Sequence, residues 1–264
     1  MLRAMVKRIF LGWEEPFLIQ AVTWLLERRD ELPELLVVVP TAQSGRRLRE
    51  ALAEKAGALL SPKVVTPGSF LKSRDEESAP DWIERLAWIE VLETIEDWTE
   101  YEALFPTPPG EGTDWAHGLA LEMARLRHTL QENGILLEIA ARKLHQTVEA
   151  ERWEALSRLE NLVEQQLKNW HLKSRSKILS SGIHISPEIS QIVLAGVPEM
   201  PPLIARALQA WEKSVTVLIG APESEAEKFS PLGIPQKYGQ SSPCHGLTDR
   251  SKYWQIRNSK LRKP

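Results

Sequence analysis

The sequence predicts an open α/β fold, a parallel sheet of about five strands with an all-helical segment inserted into it. Three observations predict it. Five short runs are β-branched and almost wholly apolar: "RIFLG" (8–12), "LLVVVP" (35–40), "KVVTP" (63–67), "QIVLAG" (191–196) and "VTVLIG" (215–220). Strands apolar on both faces suit the middle of a parallel sheet, covered on each side by helices. Helix-period segments follow most of these runs, the alternation of βαβ units. Between Ser73 and Pro187 the strand signal vanishes and only helical periodicity remains.

The first run leads through "GWEEPF" into a helix with Pro16 in its first turn and Phe17, Ala21, Val22, Leu25 and Leu26 as its apolar face. Ala42–Gly57 follows the second run, with Leu48, Ala51 and Leu52 inward and Gly57 as its stop. The third run ends in "TPGSF" (66–70). Helices are then expected over 81–98, 115–134, 136–146 and 149–170, with a loop at 105–114. The paired prolines of "PPLIARALQAWEK" (201–213) start a helix between the last two runs. The expected organisation is therefore 1–75 and 188–235 as two parts of one α/β domain, with 76–187 as the helical insertion. Residues 236–264 lack periodicity and read as a loose tail or the start of another domain.

Composition narrows the function classes. The net charge is −3, but residues 236–264 carry seven basic and one acidic residue, +6, leaving −9 for residues 1–235. The single cysteine, Cys244, excludes disulfides, thiolate zinc sites and Cys-ligated iron–sulfur clusters within one chain. No run approaches the roughly 18–20 apolar residues of a membrane span, and the N-terminus lacks the apolar core of a signal peptide. A cytoplasmic protein without membrane contact is expected.

The strand–turn–helix at 8–26 has the layout of a phosphate loop without its chemistry. A nucleotide loop uses several glycines, a lysine on the β/γ-phosphates and a Ser/Thr on magnesium. "GWEEPF" offers Gly12 alone, and Glu14 and Glu15 repel a polyphosphate. The magnesium carboxylates expected at a later strand end are reduced to Glu199 in "GVPEMPP". No cofactor is expected.

The ordered set "LLVVVPTAQSGRRLREALAEKAG" (35–57), "SPKVVTPGSFL" (61–71) and "QIVLAGVPEMPPLIARALQAWEKSVTVLIGAP" (191–222) resembles the N-terminal region of AddB-type proteins. These are helicase-like subunits of bacterial helicase–nuclease repair complexes. The resemblance implies a RecA-like (P-loop NTPase-like) sheet and a role in binding or scaffolding DNA during double-strand break repair. It also implies a partner subunit of AddA type and, in many members, a C-terminal PD-(D/E)XK nuclease. This chain departs from that pattern in lacking ATP-site motifs and in stopping before the second helicase domain, so it reads as an N-terminal fragment or a truncated reading frame.

Two segments are candidates for DNA contact. In "PTAQSGRR" (40–47), Thr41, Gln43 and Ser44 follow a strand end, where α/β sheets place ligands. Arg46 and Arg47 sit near a helix N-terminus, against the dipole, and a bound phosphate would relieve that conflict. The competing reading is a solvated face with an Arg46–Glu50 pair. In "TPGSF", Thr66 and Ser69 are hydroxyl donors; the competing reading makes them a helix cap and places Phe70 in the core.

Other residues point elsewhere. The tryptophans of the helical insertion often have acidic neighbours, such as Asp81, Glu84, Asp97, Asp114 and Glu154, so core packing within it is expected rather than base stacking. The histidines show no metal-ligand spacing. "HGLTDRSKYWQIRNSK" (245–260) echoes a nuclease motif but has Asn258 where a carboxylate belongs. A non-catalytic, DNA-binding helicase-like module leads. A protein–protein scaffold without DNA contact is the alternative, and an ATP-dependent helicase subunit stands third.

Overall fold

The computed structural model describes residues 6–71, 77–110, 114–183, 185–211 and 213–236. Five strands form one sheet: β1 (Val6–Phe10), β2 (Leu35–Val38), β3 (Lys63–Val65), β4 (Gln191–Ala195) and β5 (Ser214–Ile219). Every pairing is parallel, in the order β1-β5-β4-β2-β3. All five apolar runs are strands, with bounds moved by a residue or two, and the α/β sheet is consistent with the RecA-like expectation.

Helix α1 (Phe17–Leu26) follows β1, α2 (Ala42–Ala56) follows β2, and α8 (Pro202–Ala210) joins β4 to β5. Alternate strand residues point to opposite faces. On one face Val37, Val193 and Leu218 pack with Leu25 of α1 and with Leu48 and Leu52 of α2. On the other, Val38, Leu194 and Val217 pack with Phe70 and with Ile204 and Leu208 of α8. Burial on both faces is why these strands show no polar alternation. The edge strand β1 differs: its Lys7 and Arg8 are exposed, and charge on an edge discourages further pairing.

Between β3 and β4 lie α3 (Asp81–Glu93), α4 (Asp114–Glu132), α5 (Leu137–Leu144), α6 (Ala150–Asn169) and α7 (Arg175–Ser180). They have a core of their own, built on Trp88, Leu92, Ala116, Ala120, Leu159, Val163 and Leu167. Trp98 sits beside it, edge-on to Tyr101, Phe105 and Trp115. The segment enters and leaves at one place. Ala79 N–H donates to the Lys173 carbonyl at 2.9 Å, and Lys173 N–H to the Glu77 carbonyl at 2.7 Å.

Local expectations fail at several points. The helix expected over 81–98 ends at Glu93, where the Thr94 hydroxyl donates to the Val91 carbonyl and Asp97 accepts from Thr99 N–H in a turn. The helix after β4 ends at Ala210, because Trp211 is extended. Helix α7 is too short to show a period, and Ser174 caps it. Trp82 is 65% exposed, against the expectation of core packing, because it lies on the outer face of α3. Of the tail expected at 236–264 only Gln236 is described; Cys244 and the nuclease-like 245–260 stretch lie outside the described residues.

Candidate nucleic-acid interface at the strand ends

Parallel strands bring their carboxyl ends to one edge, where open α/β sheets bind ligands. On this edge lie "GWEEP" after β1, Thr41 after β2, Thr66 after β3, Gly196 after β4 and Gly220 after β5.

The turn after β1 is closed by the protein itself. Gly12 has φ 78° and donates its N–H to the Ala221 carbonyl at 3.0 Å. The Glu14 carboxylate folds back over Gly12, where a Cβ would clash with it. Trp13 is 67% exposed, and its Nε1 donates to the Gly220 carbonyl at 3.1 Å. Phe17, the first residue of α1, lays its ring against Gly196 and Gly220; a Cβ on either would lie 2.9 or 3.0 Å from a ring carbon. The crevice between the ends of β4 and β5 is therefore filled by a phenyl ring. The first turn of α1, which would face a phosphate, opens with Pro16, which has no N–H, and follows two glutamates. Phe17's role escapes a local sequence reading, because it depends on β4 and β5 being neighbours. Its signal is two glycines, each closing an apolar strand run. The purified chain is expected neither to bind ATP tightly nor to hydrolyse it. DNA-stimulated ATPase activity that is lost on changing Gly12 or Glu199 would refute this.

The two polar segments occupy adjacent strand ends, since β2 and β3 pair with Val38 opposite Val65. Thr41 is the N-cap of α2: its Oγ1 accepts from Ser44 N–H at 3.0 Å and lies 2.9 Å from Ser44 Oγ. Gln43 is exposed. Arg46 Nε donates to Glu50 Oε1 at 2.8 Å; that bond first, then the glutamate's charge, raises the guanidinium's pKa. Both Arg46 and Glu50 are largely exposed, so solvent screens the pair and it adds little to stability. Arg47 is exposed and has no side-chain partner among the described residues. Thr66 and Ser69 bond each other, with Thr66 N–H and Oγ1 both 3.3 Å from Ser69 Oγ, and Phe70 is in the core. The hydroxyls of Thr41, Ser44, Thr66 and Ser69 thus serve local caps first. Arg47 and Gln43 are the polar side chains of the set left open to solvent.

The charge of this edge stands against that of the helices. Residues 76–186 carry 20 acidic and 11 basic side chains, −9, so the remainder of residues 1–235 nets zero. The negative surplus of the chain is concentrated in its helical segment. Among the described residues no helix is long and apolar enough to cross a membrane. No family model matches the chain, and no curated protein does.

Proposed function

We propose that this chain is a non-catalytic helicase-like module that contacts DNA through the strand-end segment 41–47, within a repair assembly of the AddB type. The observation that supports DNA contact is Arg47, a solvated guanidinium with no partner among the described residues, beside the start of α2 on the ligand edge of the sheet. The turn after β1 supports the non-catalytic part: strand and helix persist as sheet architecture while Phe17 fills the ligand's place. A phosphate beside Arg47 would also meet the first N–H groups of α2.

The test is DNA affinity of the whole chain at several salt concentrations. Each lost phosphate contact lowers the log–log salt slope by about 0.7–0.9, depending on strandedness. Arg47→Ala is expected to lower the slope by that amount. Arg46→Ala, whose guanidinium Glu50 already holds, is expected to lower it less. The +6 tail contributes equally to wild type and variants, so the difference reads this site alone. An Arg47→Ala protein with unchanged affinity and slope would place DNA elsewhere.

A second reading, a protein–protein scaffold, is favoured by the −9 of the helical segment, which repels DNA and suits a basic partner. A chain that binds no DNA at low salt supports that reading.

A further inference from the structure

Arg127 of α4 is 4% exposed, and three carboxylates converge on it. Glu84 Oε2 of α3 lies 3.2 Å from Nη1, Glu164 Oε1 of α6 lies 2.9 Å from Nη2, and Glu160 Oε1 of α6 lies 2.9 Å from Nε. The last contact has ion-pair distance without hydrogen-bond alignment. All three acids are largely buried. Two of them also hold backbone. Glu84 Oε1 accepts the Arg175 N–H that opens α7, and Glu160 Oε2 accepts the Leu137 N–H that opens α5. All five helices of the segment therefore meet at one charged junction.

The charges do not balance. Three carboxylates face one guanidinium, a surplus of two. Lys177 of α7 comes within 3.9 Å of Glu164 from the exposed side and offsets part of it. The remaining charges nearby are committed or solvated. Asp81 of α3 pairs with the Arg175 side chain, Arg125 of α4 with Glu122, and His128 of α4 contacts Gln131 and Glu132. Arg85 of α3 is exposed to water. From α5 the Leu137 N–H faces the junction. Among the described residues, about one negative charge is left without a protein counter-charge in a poorly solvated place. Carboxylates crowded in this way share protons as a set.

We propose that the Arg127 junction binds one exchangeable proton, shared between Glu84 and Glu160, and that its release as the pH rises loosens the helical segment. An open cleft of about 410 Å³, lined by Glu84, Trp88 and Arg127 among others, gives water a route to the junction. The direction follows from the surroundings. Burial, the largest effect, raises both Glu84 and Glu160, and Glu164 adds to it; Arg127 and the backbone N–H bonds pull the other way without cancelling it. A carboxyl raised in the folded state holds a proton that the unfolded chain has already released. Stability then falls as the pH climbs from the ordinary glutamate range, near about 4.3, through the raised native value.

The test is native-state hydrogen exchange on the whole chain from pH 4 to 8, corrected for intrinsic exchange chemistry. Amides of Trp88, Leu159 and Val163 report the helical core, and those of Val193 and Val217 in the sheet serve as reference. Protection of the helical core relative to the sheet is expected to fall with rising pH, by up to about tenfold per pH unit for one proton. Glu84→Gln or Glu160→Gln removes one negative charge, needs no proton, and is expected to flatten the fall. A wild type that shows no relative fall, or a fall that persists in both variants, overturns the proposal. If neither variant folds, carbon NMR of the wild-type glutamates decides. A carboxyl titrating well above the ordinary range supports the proposal, and the lack of one overturns it.

Discussion

Arg127→Met is expected to destabilise the protein by about 3–5 kcal/mol, because it strands buried carboxylates without their counter-charge. Glu84, Glu160 and Glu164 would lose the one guanidinium that all three face. They would also repel each other at close range. Methionine keeps much of the side chain's bulk, so the loss would read the charge rather than a cavity. Urea unfolding followed through the helical core measures it. A second variant separates charge from shape: Arg127→Met combined with Glu84→Gln, Glu160→Gln and Glu164→Gln removes all four charges. It is expected to recover most of the loss, since replacing a buried ionic set whole is often close to neutral. A single Arg127→Met protein as stable as wild type would mean that the carboxylates find water in the adjoining cleft.

Gly196→Ala is expected to cost on the order of 2–4 kcal/mol, from two sources. The first is the backbone, since φ at Gly196 is 61°, a left-handed conformation that costs a non-glycine residue about 1–2 kcal/mol. The second is the Phe17 ring, whose nearest carbon would stand 2.9 Å from the new methyl group. The backbone strain belongs to residue 196 alone, while the clash belongs to the pair. A double-mutant cycle with Phe17→Leu therefore divides them: the smaller side chain is expected to relieve the clash and leave the strain, giving a coupling of about 1–2 kcal/mol. Thermal unfolding of the four proteins measures it, and additive losses would show that Phe17 does not hold the crevice closed. ATP is not expected to raise the melting temperature of Phe17→Leu, because Glu14, Glu15 and Pro16 still line the turn.

What the sequence showed and what it hid divide by range along the chain. The three central strands β2, β4 and β5 were legible because each is buried on both faces, so its residues are apolar one after another, while the edge strands β1 and β3 kept enough β-branched and apolar residues to be read as well. The stop of α2 was legible in Gly57, while Thr41, read as a candidate DNA contact, is instead the cap of its start. The strand order was not, since β1 meets β5 across roughly two hundred residues. Phe17's place depends on that order. Arg127 meets its three carboxylates from 33 to 43 positions away, and no local rule pairs them. It left one trace: Arg127 and Glu160 occupy positions on the apolar stripes of α4 and α6, where a lone charge needs a partner. In the candidate interface, spacing identified Thr41, Ser44, Thr66 and Ser69 as a group of hydroxyls. Only coordinates separate the ones spent on caps from Gln43 and Arg47, which are not.

The two hydrogen bonds that pin Glu77 and Ala79 to Lys173 bear on how this protein can change in length. Because the helical excursion begins and ends at one clasp, the span from β3 to β4 does not depend on how many residues lie inside it. Lengthening such an excursion adds closure entropy only logarithmically, roughly 0.6 kcal/mol for each doubling. Loops between Ala79 and Lys173 can therefore lengthen while the sheet beneath keeps its register, provided the contacts of Glu84 with α7 and of Asn133 with α8 are kept. The clasp, together with the Glu84–Arg175 and Asn133–Arg206 contacts, sets where such changes must match.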